Sequence, residues 1–529
     1  MLNTPRSRRC MVTAPHHLAS QAGLSVLREG GTAIEAVVAM AATLTVVYPH
    51  MTGIGGDGFW LVAAPGAAPV AISAAGPAGS LASPALYRDA GHSTIPWRGP
   101  LAANTVAAAV EGWRAALDVS AAWGGRLPLG RLFEEAIAHA EDGYVVTRSQ
   151  HETTTAKLDG LRDQPGFAET FLDRGAVPAV GAVLKRPAIA ATLRRLAEAG
   201  LDDFYRGRLA TGIAADLARL GAPVTAGDLA AYRAWTGAPL SVRVGGATLY
   251  NQPPPTQGVA SLLILALFDR LGVTAAEGFE HIHGLVEATK QAFLLRDRHV
   301  GDPAAMTVAP GDLLAPEVLD RLAARIDPAR ALPWPAPPSA GDTTWMGAVD
   351  RHGAVASYIQ SIYFEFGSGL VLPESGLNWQ NRGCSFALDG AGPRVLAPGR
   401  LPFHTLNPAL ARFDDGRTMV YGTMGGEGQP QTQAAVFSRY AFFGQELQQA
   451  VTAPRWLLGR TWGEDSVSLK LESRVPAEVV AALRAAGHAV ELTADFTETM
   501  GHAGALVRHA DGVIEGATDP RSDGAVAAW

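Results

Sequence analysis

Cysteine is almost missing from this chain: Cys10 and Cys384 are the only two among 529 residues. They stand alone, without CxxC spacing and without the density of a disulfide-stapled mini-protein, so a reducing compartment is the simpler expectation. Charge is thin as well, at 18% of residues with a net value of −7. No run of Lys or Arg would track a phosphate backbone, which makes nucleic acid a poor partner. Long apolar runs are absent too. "AVVAMAATLTVVY" and "GVASLLILALF" fall short of the roughly 20 residues that cross a bilayer, and both read as buried helix. The basic "PRSRR" near the start is followed by "CMVTAPHHLASQ", which lacks the continuous apolar stretch of a signal peptide. The expected location is therefore the cytoplasm, away from membranes. Internal repeats and low-complexity tracts are not visible.

What is present is a large apolar fraction, 48%, on a chain long enough to bury roughly three quarters of its surface. Length alone suggests about three or four domains, a prior that layered α/β folds often violate. "HLASQAGLSVLREGGTAIEAVVAMAATLTVV" reads as two helices parted by Gly-Gly, the second apolar on most faces and so packed between layers. "FWLVAA" and "PVAISAA" read as strands. Helical patterns dominate from about Thr105 to Leu220, and "EGFEHIHGLVEATKQAFLLRDRHVGD" predicts another helix. The proline-rich "ALPWPAPPSA" then predicts an exposed, extended linker. Beyond it the character turns to strands: "TTWMGAVD", "AVASYIQSIYF", "GRTMVYGTMGG", "SVSLKLE" and "GALVRHADGVIEGATD". Mixed α/β layers are expected.

The linker ends in two hydroxyls, Thr343 and Thr344, that open a strand. The "DRHG" that follows has the residue types of a type I turn closed by a left-handed glycine bulge. In that loop Asp350 pairs with Ala354, which places Thr343 opposite Ser361. A threonine hydroxyl needs a base to attack an amide carbonyl, and no triad can be picked from the sequence. Cleavage before Thr343 offers another route, because the new α-amine can take the proton. An α-amine of pKa about 7.7–8.0 is roughly a third unprotonated near pH 7.5, whereas an ordinary Lys is free only about one part in a thousand. The same hydroxyl can make the cut by attacking the Asp342–Thr343 carbonyl. An oxyanion hole would come from backbone N–H groups on a glycine turn, for which Gly425 and Gly426 in "YGTMGGEGQP" are the candidates.

With those residues placed, the chain resembles the γ-glutamyltransferase family of N-terminal-nucleophile hydrolases. "DTTWMGAVD", "FGSG", "PESG", "LNPAL", "GTMGG" and "GATDPRSDGA" occur in the family's order, as do "EGGTAIEAVVAMAATLTVVYPHMTGIGGDGF", "NQPPPTQG" and "EATKQAFLLRDRHVGDP". The resemblance implies an αββα four-layer sandwich, made as one precursor and cut into a large fragment 1–342 and a small fragment 343–529 that form one interwoven unit. It makes Thr343 nucleophile and base and Asp342 its processing-site neighbour. Ser361 becomes the hydroxyl that bonds the nucleophile, and Gly425 and Gly426 the oxyanion glycines.

Departures from the family pattern concern the substrate. The arginine that grips a glutamyl α-carboxylate has no counterpart, since its position falls at about Ser83 or Pro84. Where the family holds the α-ammonium with Gln and Asp, this chain has "NWQNRGCSF", with Arg382 and Ser385 at those places. Exchanging a carboxylate for a guanidinium turns a cation-binding corner into an anion-binding one and penalises glutamyl substrates. His404 and Thr405 stand in for a serine pair, and Tyr363, in place of an asparagine, should shorten the pocket. "IQSIYFEFGSG", "WQNRG", "FHTLNP" and "MGGEGQPQTQ" are similar to the oxamate amidohydrolases within the family. The expected reaction is hydrolysis of a small amide bearing a carboxylate. Glutathione-type γ-glutamyl hydrolysis or transfer is the alternative, and an uncleaved binding or structural homologue the second. The acceptor, and whether processed units dimerise, stay open.

Other motifs carry less. "GIGGDG" (Gly53 to Gly58) matches GxGxxG formally but runs into a strand where a helix should begin, so it reads as a structural turn. His16, His17, His281 and His283 lack HExxH or any comparable spacing, and neither metal nor cofactor is expected. Cys384 has no base nearby and reads as an inert thiol.

Overall fold

The computed structural model describes residues 3–334, 342–459 and 467–529. The expected proline-rich linker falls largely on residues 335–341, outside the described residues.

Alternating strands build two seven-stranded antiparallel sheets. In the first, the spatial order is Ala525–Ala528, Met11–Ala14, Asp342–Val349, Val355–Tyr363, Asp57–Ala63, Val70–Ala74 and Trp235–Gly237. In the second it is Arg6–Ser7, Ile514–Thr518, Ala503–Arg508, Thr418–Thr423, Ala409–Phe413, Ala247–Asn251 and Leu240–Val244. Each sheet interleaves strands from before and after residue 343. The sheets meet through one apolar cluster in which Met11, Leu61, Val349 and Val355 face Leu410, Val420, Leu506 and Ile514. Side-chain alternation sends the neighbouring residues outward onto helices. Val12, Trp60, Val62, Met346 and Ala348 pack under the helices His17–Arg28, Ala33–Val47 and Ala109–Ala122. Leu249, Ala411, Met419 and Val507 pack under Gly258–Arg270, Phe279–His299 and Gly428–Phe437. The result is an αββα four-layer sandwich.

Local chemistry explains the elements that set the site. The helix Ala33–Val47 opens with a Thr32/Glu35 capping box and is buried along its whole length, as its all-round apolar pattern predicts. The "DRHG" turn forms with Gly353 at φ +81° and Asp350 N–H bonded to the Ala354 carbonyl at 3.0 Å. Asp350 Oδ2 also accepts from Ala33 N–H at 3.1 Å, tying the hairpin tip to the helix start. Trp345 fills the space between the sheets opposite Gly422 and Gly504, where a Cβ would lie 2.1 and 2.4 Å from its indole. Among the described residues no helix is long and apolar enough to cross a membrane.

Candidate active site

Thr343 sits where the hairpin ladder breaks. Pairing runs in the predicted register from Val349 opposite Val355 to Thr344 opposite Gln360, then jumps to Asp342 opposite Tyr363. Direct pairing of Thr343 with Ser361 is therefore corrected to a bulge at that step. Bulges re-aim side chains, and this one coincides with a left-handed Tyr363, φ +79°. Ser361 Oγ accepts the Tyr363 N–H at 2.8 Å, closing the distorted turn. Thr343 is wholly buried, and its Oγ1 receives a hydrogen bond from Gln429 Nε2 at 3.3 Å. Gln429 Oε1 in turn accepts Asn407 N–H at 3.3 Å, so its amide orientation is fixed.

The glycine turn lies just ahead of the helix Gly428–Phe437. Gly425 adopts φ +116° and Gly426 φ +53°, and the Gly425 carbonyl accepts Gly428 N–H at 2.7 Å. Among the described residues the N–H groups of Gly425 and Gly426 have no acceptor. The turn is braced from below: Gln257 Nε2 donates to the carbonyls of Gly426 and Thr405 at 2.8 Å each. Arg296 holds Gln257 Oε1 and Glu427 Oε2, both at 2.9 Å.

Arg382 is 1% exposed, on a short 3₁₀ turn, Arg382–Ser385. Its guanidinium lies 3.5 Å above the Tyr363 ring, and its Nη2 donates to Thr405 Oγ1 at 3.2 Å. Among the described residues Nε and Nη1 have no hydrogen-bond partner. Burial pulls the pKa of Arg382 down to about 10, opposed by Tyr363, then Asp57 and Cys384. Tyr363 therefore does more than fill space: it is the platform under the cation. Because Tyr363 stands across the ladder from Asp342, that platform adjoins the Asp342–Thr343 bond.

His404 is not aimed at Thr343. Its Nε2 meets Asp57 Oδ2 at 2.6 Å, Phe59 packs edge-on to its ring, and its buried Nδ1 has no partner among the described residues. Asp57 Oδ1 accepts Gly76 N–H at 3.0 Å and Gln380 Nε2 at 2.9 Å. Burial pushes Asp57 up to about 7 and His404 well below its ordinary value. Ser385 turns away, donating to the Phe403 carbonyl at 3.1 Å. Cys384 donates to the Pro96 carbonyl, and burial raises its thiol to about 12.

"GIGGDG" is a turn of close backbone approach, as read: a Cβ on Gly55 or Gly56 would lie 2.1 Å from the Asn378 carbonyl oxygen or 1.9 Å from that of Ser361. His283 joins His488 and the Asp327 carbonyl through its two ring nitrogens, while Glu287 one turn on carries Lys290. His281 meets Ser438, and His16 stacks on His17. Two residues of the site escaped the sequence reading. Asp57 hid as the one acid in a glycine motif. Gln429 belongs to "GQPQTQ", where three glutamines are buried on one helix, a pattern that could have marked it.

Comparison with known proteins places this geometry. The chain is similar to the oxamate amidohydrolase proenzyme of Klebsiella pneumoniae, 56% identical over 520 residues that cover 98% of each chain. It is similar to the glutathione hydrolase-like YwrD proenzyme of Bacillus subtilis, 39% identical over 97% of each. Among solved structures, cephalosporin acylase from Bacillus halodurans matches with a TM-score of 0.92 at 32% identity, over 100% of this chain and 97% of that one. The family described as Gamma-glutamyltranspeptidase matches residues 19–529, and the chain belongs to it.

Proposed function

We propose that this protein is a self-processing amidohydrolase that cleaves a small amide bearing a carboxylate, of the oxamate kind. Thr343 Oγ1 first adds to the carbonyl carbon of residue 342, and the acyl group moves from nitrogen to oxygen. Water hydrolyses that ester and leaves Thr343 with a free α-amine. Fragments 1–342 and 343–529 then stay interlocked, because both sheets mix strands from the two.

In turnover the α-amine accepts the hydroxyl proton while Oγ1 adds to the amide carbon. The oxyanion rests on the N–H groups of Gly425 and Gly426, a contribution of about 10²–10³ in rate for such donors. Collapse breaks the C–N bond, and the α-ammonium returns its proton to the departing amine. Water then adds to the acyl ester with the same base and releases the acid. Arg382 and Thr405 hold the substrate carboxylate, Tyr363 supports the guanidinium, and Ser361 and Gln429 position the nucleophile's end of the strand.

One observation carries the choice of substrate: a buried guanidinium that among the described residues forms no ion pair and keeps Nε and Nη1 unused. Unmade buried donors cost about 1–3 kcal/mol each, more when charged, and a planar carboxylate can take either of them in a fork with the second hydrogen of Nη2. The name of the 56%-identical relative agrees with that chemistry. Cytoplasmic residence is part of this reading.

Ammonia release from oxamate, measured beside glutamate release from a γ-glutamyl anilide, tests it. Efficient oxamate turnover is expected. Turnover of the anilide alone would overturn the anion corner, and a single full-length band on a denaturing gel after long incubation would favour an uncleaved binding protein.

A further inference from the structure

We propose that Asp57, sharing a proton with His404, is a positioning residue that couples anion binding at Arg382 to the uptake of one proton. This rests on the reading of Arg382 as the carboxylate site.

Two short segments run side by side and face two ways. Gln380 and His404 turn back onto Asp57, while Arg382 and Thr405, one or two residues further on, turn to each other. Asp57 stands across the ladder from Ser361, two strands from Thr343. Its two oxygens are taken by Gly76, Gln380 and His404, which keeps it from bonding Arg382 directly. It still acts on Arg382 through space: Asp57 is the one carboxylate among the groups that shift Arg382. In the empty site an ionised Asp57 is the counter-charge of the guanidinium. A bound carboxylate would bring a second anion to one cation in a dry pocket, and like charges at close range favour protonation of one of them.

The Asp57–His404 pair can take that proton. With Asp57 ionised, the neutral imidazole donates from Nε2 to Oδ2 and Nδ1 is bare. One added proton leaves a hydrogen on Nδ1 whether it is written as Oδ2–H facing Nε2 or as carboxylate and imidazolium. In either form one negative charge beside Arg382 is cancelled. The ordinary carboxylate value is far too low for this near neutral pH, but burial lifts Asp57 to about 7 against Gln380, Arg382 and Gly76.

The hydroxyls and the thiol around the pair do not titrate there. Tyr205, Tyr232 and Tyr358, which feel Asp57, have hydroxyls pushed above their ordinary value by burial and stay neutral. Glu111, beside Tyr205, is paired with Arg114 at 2.8 Å. On the Arg382 side, burial keeps the Cys384 thiol protonated. The α-amine of processed Thr343 is the remaining candidate, and the test must separate it.

The sign follows from the raised value. Free enzyme loses the Asp57 proton as pH rises through about 7, while the complex keeps it longer. Anion affinity is therefore highest below that pH and falls above it, at most about tenfold per pH unit for one linked proton.

Processed enzyme is titrated calorimetrically with oxalate, which has no amide to cleave, at pH 8 in buffers of different ionisation enthalpy. Uptake approaching one proton per oxalate is expected, and Asp57→Asn should abolish it. An infrared difference spectrum of the wild type supplies a second readout that needs no variant: oxalate should raise a carboxylic-acid or imidazolium band, which an α-amine cannot produce. Oxalate binding that depends on Arg382 but takes up no proton, or uptake unchanged in Asp57→Asn, overturns this proposal alone. Oxalate that fails to bind, or binds Arg382→Met equally well, overturns it together with the carboxylate reading beneath it.

Discussion

Two buried arginine clusters lie on either side of the Gly425–Gly426 turn, and they are built on opposite plans. Behind the turn, Arg521 meets Glu472 at 2.6 Å and Asp519 at 3.0 Å, and Arg455 meets Asp519 at 2.5 Å. Arg455 Nη1 also donates to the Gly501 carbonyl at 2.8 Å, and the Cα of Gly501 lies 3.5 Å from where a Gly425 Cβ would be. In front, Arg382 has a hydroxyl, an aromatic face and, among the described residues, no carboxylate in contact. Both clusters are removed from water, so burial alone does not tell structure from site. Pairing separates them: the cluster whose charges are answered braces the fold, and on the proposed reading the open guanidinium of Arg382 is kept for the substrate carboxylate.

The largest effect should come from breaking the closed cluster. Arg521→Met takes one guanidinium from two buried carboxylates, leaving Glu472 with Arg474 alone and Asp519 with Arg455 alone, a loss on the order of 3–5 kcal/mol. Denaturant unfolding should show that drop, with activity following stability. Arg382→Met should behave in the opposite sense. Removing a buried cation that has no carboxylate in direct contact leaves folding stability little changed or improved, while kcat/KM for oxamate falls by about 2–5 kcal/mol in transition-state binding, roughly 30- to 5,000-fold. Equal destabilisation by the two variants, with oxamate turnover kept in Arg382→Met, would erase the distinction.

What the sequence disclosed follows the same division between near and far. Thr343, the "DRHG" turn and Gly425–Gly426 are local features, read from strand boundaries and turn chemistry over a few residues. Arg382 was legible as a change of charge at one place. The bulge was not, because an idealised hairpin has no reason to slip; it is the left-handed Tyr363 and the Ser361 hydroxyl on its N–H that accompany the extra step. Asp57 and His404 are 347 residues apart, and no pattern in either segment announces their contact. The strands Leu240–Val244, Ala247–Asn251 and Ala409–Phe413 were passed over as well, being short and half polar until the second sheet supplies their neighbours. "GATDPRSDGA" was recognised as a motif, but only the structure shows that its Asp519 and Arg521 belong to the closed cluster.

The smallest effect sharpens the comparison at the nucleophile itself. Gln429 is neutral and touches Thr343 Oγ1 on one side and Asn407 N–H on the other, so it should orient the hydroxyl without binding the acyl group. Gln429→Leu removes a net hydrogen bond of about 1 kcal/mol and should lower kcat about tenfold or less with KM little changed, the reverse of Arg382→Met. Gln429→Glu keeps the acceptor for Asn407 but places a carboxylate beside the α-amine of processed Thr343. An adjacent negative charge favours the ammonium, so the amine pKa rises and less free base is present at neutral pH. The acidic limb of the pH–kcat profile should then move to higher pH, with the rate recovering as pH is raised. A limb that stays put while the rate falls would mean that Gln429 only holds the helix against the strand, and that the base is not the terminus next to it.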